Sequence, residues 1–205
     1  MQDLHQALAD ISAIRGQMAR GTEFRGYGPT ALATSGMLAL VAAAVQALWI
    51  DDPVRDIRAY LALWIVTAAL TVVIVSSEAI RRSRLVHDGL ADDMLQAAAE
   101  QFVPAAVAGV LVTLVLTQTA ETTLWMLPGL WQILISLGVF ASCRSLPRPM
   151  IAVAIWYLGC GLACLVVAVG EYALSPIAMG VPFFAGQMLS ALIVKRSSGG
   201  GHGEA

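Results

Sequence analysis

Six apolar runs divide this chain, and polar segments of unequal length separate them. The runs fall at roughly 30–50, 57–80, 102–118, 123–143, 150–173 and 177–195. Each is near the twenty or so residues that a helix needs to cross about 30 Å of hydrocarbon. The pattern predicts an all-α polytopic membrane protein with six transmembrane helices. Two segments outside the runs follow a different rule. In residues 2–20, Leu4, Leu8, Ile11, Ile14 and Met18 recur at helical spacing, while Asp3, Gln6, Asp10 and Gln17 take the remaining surface. This reads as an N-terminal amphipathic cytoplasmic helix, weakened by Gly16. It lies on the membrane or docks a cytosolic partner through Leu4, Leu8 and Ile11. In residues 84–101, Leu90, Met94 and Leu95 give an apolar face, and Asp88, Asp92, Asp93 and Glu100 a charged one. That segment is the second candidate docking surface, and its helix can run on into the third apolar run.

The polar punctuation sets the organisation. Gly21, Gly26 and Gly28 with Arg25 and Tyr27 mark an interfacial loop, so residues 1–28 form a leading cytoplasmic unit. Residues 29–196 form the membrane domain, and the Gly-rich tail 197–205 is expected to be disordered. A weak repeat runs through the membrane domain. The outward-going runs open at Pro29, Pro104 and Pro149, the return runs end in basic residues, and Leu63-Trp64 matches Leu130-Trp131. Proline suits a helix start, where its missing N–H has no partner anyway. The repeat predicts three helical hairpins, pairing helices 1–2, 3–4 and 5–6.

Charge adds orientation. Ten of the twelve Lys and Arg residues lie on one side of the six runs: Arg15, Arg20, Arg25, Arg81, Arg82, Arg84, Arg144, Arg148, Lys195 and Arg196. Only Arg55 and Arg58 occupy a loop of opposite parity. Short loops rich in Lys and Arg resist translocation, so both termini are expected in the cytoplasm of a bacterial inner membrane. Composition agrees. The chain is 58% hydrophobic and 13% charged, against about 25% charged in soluble domains. The net charge of −2 with no basic tract argues against direct nucleic-acid binding. The polar stretch before the first run carries no cleavage signature, so no signal peptide is expected.

Candidate chemistry is sparse. Gln132 and Gln187 lie about halfway along their runs, four and five positions after Pro128 and Pro182. A proline inside a membrane helix frees a backbone carbonyl, and two such interruptions at matching places point to a binding site in a transporter-like bundle. Trp131, Phe183 and Phe184 would line it, with Thr67 at comparable depth. Against that stands simple interhelical hydrogen bonding by the two amides. Glu78 is expected to pair with Arg81 or Arg82 at the cytoplasmic interface, three and four positions on. Glu171 is expected at the hydrated outer interface. Cys160 and Cys164 share a helix face, beside a Gly159/Ala163 small-residue pair suited to close helix packing. Three Cys and no membrane His imply neither a disulfide framework nor a metal site. No nucleophile–base set and no phosphate loop is present, so no catalytic residue and no cofactor is predicted.

The run Leu127 to Pro147, the opening Asp3 to Ile11 and the segment Phe24 to Pro29 resemble a group of small bacterial six-helix inner-membrane proteins without an assigned activity. The resemblance implies a cytosolic winged-helix regulator as companion and supplies no catalytic residues. The functional expectation is a non-enzymatic membrane sensor or anchor that binds a cytosolic regulatory protein and can self-associate. A small transporter or channel using Gln132 and Gln187 is the alternative. An intramembrane enzyme has the least support.

Overall fold

A computed structural model describes residues 28–86, 89–119, 121–143, 146–168 and 170–199, with the backbone alone over 82–99 and at 121, 171, 198 and 199. Leu4, Leu8 and Ile11, and with them the amphipathic helix expected over 2–20, lie outside the described residues, as do the side chains of Leu90, Met94 and Leu95. Six α-helices follow in order: α1 (Pro29–Trp49), α2 (Ile57–Val86), α3 (Gly89–Thr119), α4 (Leu127–Ser142), α5 (Ile151–Val167) and α6 (Pro176–Gly199). Six helical segments are long and apolar enough to cross a membrane, those of α4 and α5 only together with the turns before them, over Thr122–Ser142 and Arg148–Val167. Short 3₁₀ turns at Glu121–Met126, Arg148–Met150 and Gly170–Tyr172 precede α4, α5 and α6.

Proline positions decide several boundaries. Pro29 opens α1 at its first turn, as the sequence predicts. Pro104 does not open a helix: α3 runs from Gly89 straight through it. The described residues of segment 84–101 are helix, a continuation of α2 beyond Arg81 and a lead into α3 before Glu100. Pro128 is not an interruption either. It sits in the first turn of α4, where the 3₁₀ turn gives way to α-helix. Pro182 alone of the two lies within a continuous helix. The fifth helix ends at Val167, short of the expected 173. Ala168 leaves helical geometry at ψ 57°, and Gly170 at φ +66° turns the chain. Glu171 thus belongs to the 3₁₀ turn beyond α5.

The helices pack unequally. The most extensive pairing joins α1 to α6, followed by α4 with α5, α3 with α4 and α1 with α2. The core sits among α1, α4, α5 and α6. No residue of the α3 membrane segment is buried, and α2 buries few. Ile65, Val66, Val72 and Val73 on α2 and Val103, Val110 and Leu111 on α3 point outward. Such an apolar exterior is stable in lipid and costly in water, which points to a membrane location. The α3 helix rests on α4 through a stripe at helical spacing. A β-carbon built on Gly138 would lie 2.6 Å from the Phe102 ring and 3.2 Å from Ala105, and Trp131 Nε1 donates to Thr113 Oγ1 at 2.9 Å.

The close approach of α4 and α5 does not use Gly159 and Ala163. Space around Gly159 is open, and both residues face outward. The contact runs through Gly129 and Gly161, where a β-carbon on either would come within 2.9 Å of the other's carbonyl oxygen. Cys164 is buried and Cys160 half-buried on a neighbouring face.

Candidate functional site

Buried polar groups are the features an apolar bundle must account for, because lipid supplies no hydrogen bonds. Gln132 is the centre of this account. It is wholly buried, and its Nε2 donates to the carbonyl of Ala178 at 2.8 Å. The choice of acceptor follows from chemistry. Ala178 stands four residues before Pro182, which has no N–H to return, so its carbonyl lacks the usual helical donor. Gln132 on α4 supplies that donor from across the interface. Its Oε1 has no partner among the described residues.

Gln187 springs from α6 nine positions beyond Ala178, about 13 Å along the axis at ~1.5 Å per residue. Its β-carbon faces the space at Gly36 of α1. The Gln187 Oε1 is likewise unpartnered, so the two glutamines are not bonded to one another. Of the aromatics expected around them, Trp131 packs against a cluster of Tyr60, Trp64, Leu174 and Met179. Phe183 lies between that cluster and a second one around Tyr157, with ring centroids 5.4 Å apart from Tyr157. Phe184 is half-buried and presents its carbonyl to Gly36. Thr67 is buried, and its hydroxyl donates to Leu63 one turn earlier at 2.8 Å, a purely local bond.

A second polar node lies where sequence reasoning did not look. Gln46, near the C-terminal end of α1, is 1% exposed. Its Nε2 donates to the Leu174 carbonyl at 2.6 Å and its Oε1 accepts from Trp64 Nε1 at 2.8 Å. One side chain thereby ties α1 to α2 and to the loop before α6. The signal was present: Gln46 is the only polar residue in its run between Gly36 and Asp51. A polar residue near a helix end is equally compatible with solvation, so position alone does not reveal the buried bonds. Tyr60 beside it is fully buried, and its hydroxyl has no partner among the described residues. Ser136 adds a further interhelical bond, donating to Ala154 on α5 at 2.7 Å.

The remaining candidates behave as their positions dictate. Glu78 pairs with Arg81 at 2.8 Å, with the Arg81 guanidinium largely exposed. An exposed pair of this kind contributes well under 1 kcal/mol. Glu78→Gln is expected to shift the thermal midpoint by no more than about 2 °C, read by unfolding in detergent micelles. A larger fall would mean a role beyond the ion pair. Cys143, at the end of α4, has its thiol pushed above the usual range by burial, which suppresses the nucleophilic thiolate at neutral pH. Among the described residues no group of His, Cys, Asp or Glu is arranged to hold a metal.

Comparison with known proteins adds no relative: no family model, no curated protein and no solved structure matches the chain.

Proposed function

We propose that the chain is a non-enzymatic protein of the bacterial inner membrane, a sensor or anchor that binds a cytosolic regulatory protein. The observation that carries this reading is the continuity of α2 and α3. They run as unbroken helix beyond their membrane segments, to Val86 and from Gly89, and they are the least buried helices of the bundle. A pair held loosely at its sides can shift against a packed core and carry that shift to its cytoplasmic ends. The basic residues Arg81, Arg82 and Arg84 at this end support its cytoplasmic placement, with both termini on the same side. The three-hairpin arrangement and the amphipathic helix 2–20 belong to this reading, the latter as a second docking surface. The bilayer and a second copy of the chain are its other partners; nucleic acid is not.

A transporter or channel is the second reading, favoured by the two unpartnered amide oxygens of Gln132 and Gln187 inside the bundle. One experiment separates them. Leu90, Met94 and Leu95 are replaced together by Asp, and Gln132 separately by Leu, in the full chain in native membranes. The signalling reading expects the triple variant to insert normally and bind its partner at least about tenfold less, which is ~1.4 kcal/mol. Gln132→Leu should keep partner binding. Loss of activity with Gln132→Leu alone sinks the signalling reading. A reporter fused after Arg84 that reads as periplasmic overturns the topology beneath both.

A further inference from the structure

We propose that Pro182 makes α6 a hinged helix and that Gln132 and Trp156 form the latch that holds the hinge closed. Proline within a helix deletes one backbone bond and crowds the preceding turn, so the axis bends there most easily. Two side-chain donors meet the carbonyls at the two ends of that weakened turn. Gln132 Nε2 bonds Ala178 at 2.8 Å, and Trp156 Nε1 bonds Pro182 at 3.0 Å. They come from different helices, α4 and α5, so the bend of α6 is coupled to the packing of both. The Gln132 end of its bond is wholly buried, and the Ala178 end is half-buried.

The consequence lies beyond the hinge. Ala191 and Val194 of α6 pack on Leu32 of α1, and α6 then runs to exposed Lys195 and Arg196. A movement of α4 that withdrew Gln132 would leave Ala178 without a donor and free this half of α6 to swing against α1. Gln132 is thus a positioning residue for the cytoplasmic end of α6. This holds whether or not a cytosolic partner docks on the α2–α3 extension.

A double-mutant cycle tests the latch. Pro182→Ala returns an N–H that can bond Ala178 within the helix, so it should make Gln132 dispensable. Gln132→Leu alone is expected to lower the thermal midpoint by about 2–4 °C. The same change in the Pro182→Ala background should lower it by less than half as much. Spin labels at exposed positions Thr34 and Lys195, in a chain with its three cysteines replaced by serine, supply the conformational readout. Their distance distribution should be narrow in the parent, broad in Gln132→Leu, and narrow again in the double variant. Trp156→Phe, which removes the second donor, should broaden it as well. Should Gln132→Leu fail to assemble, recovery of assembly by Pro182→Ala reports the same coupling. Equal losses with and without Pro182, or an unchanged distance distribution, overturn the proposal.

Discussion

Gly161→Val should pry α4 from α5 and lower the thermal midpoint by on the order of 10 °C, while Gly159→Val should leave it within about 2 °C. The two positions lie two residues apart in one helix, in one membrane, with the same propensity change. What differs is the neighbour. A β-carbon at Gly161 would stand 2.8 Å from the Gly129 carbonyl oxygen and 3.1 Å from the backbone nitrogen of Ile133. Backbone cannot rotate away as a side chain can, so the helices must separate. Separation costs dispersion contacts along the whole interface and strains the Ser136 bond to Ala154. Overpacking a well-filled interface typically costs about 1–3 kcal/mol, and an obstacle made of backbone belongs at the top of that range. At Gly159 an added side chain meets nothing within 4 Å and points toward lipid. Thermal unfolding in detergent micelles, with both variants run beside the parent, reads the difference. Equal midpoints for the two valine variants would mean that this interface is not the tight one.

The same contrast explains what the sequence could and could not disclose. The six runs were legible because a bilayer imposes length and apolarity, and both are local properties of the chain. Helix faces were harder. Gly159 with Ala163 is a small-residue pair at helical spacing, whereas Gly129 and Gly161 are single glycines on two different helices that only the fold brings together, and in an apolar helix no polar face marks which side turns inward. The prolines show the limit in another way. Pro128 and Pro182 look equivalent beside their glutamines, yet one starts a helix and the other lies inside one. A first-turn proline needs the chain before it to leave α geometry, as Glu121–Met126 does by taking a 3₁₀ turn, and no local signal announced that turn. The role of Gln132 was half readable: a polar residue deep in an apolar run must bond across helices. Its acceptor was not, since only the fold brings it to the carbonyl that Pro182 had left without a donor.

Gln46→Leu should be among the most damaging polar substitutions in the chain, costing about 2–4 kcal/mol. The side chain is close to leucine in size, so packing volume is nearly conserved and the loss is one of bonding. Two partners are stranded. Trp64 Nε1 and the Leu174 carbonyl would both remain buried with nothing in Gln46's place. A buried group left without its partner costs about 1–3 kcal/mol. Interhelical bonds in membranes average only about 0.6 kcal/mol, because helices separated within lipid find other partners. That discount applies to Trp64, which would stay on α2. It applies less to Leu174, which sits in a loop whose backbone is hydrated when released. Leu174 also occupies a left-handed conformation at φ 58°, which costs a non-glycine residue roughly 1–2 kcal/mol. Gln46 holds that turn from below, so its loss should free the loop and loosen the Tyr60–Met179 cluster that Leu174 completes. The cycle with Trp64→Phe apportions the effect: removing both partners should recover about 0.6 kcal/mol or more relative to additivity. Hydrogen exchange at residues 173–175 should rise in Gln46→Leu and stay near the parent level in Trp64→Phe. A stability loss below about 0.5 kcal/mol, with exchange unchanged, would show that the turn holds itself and that Gln46 only fills space.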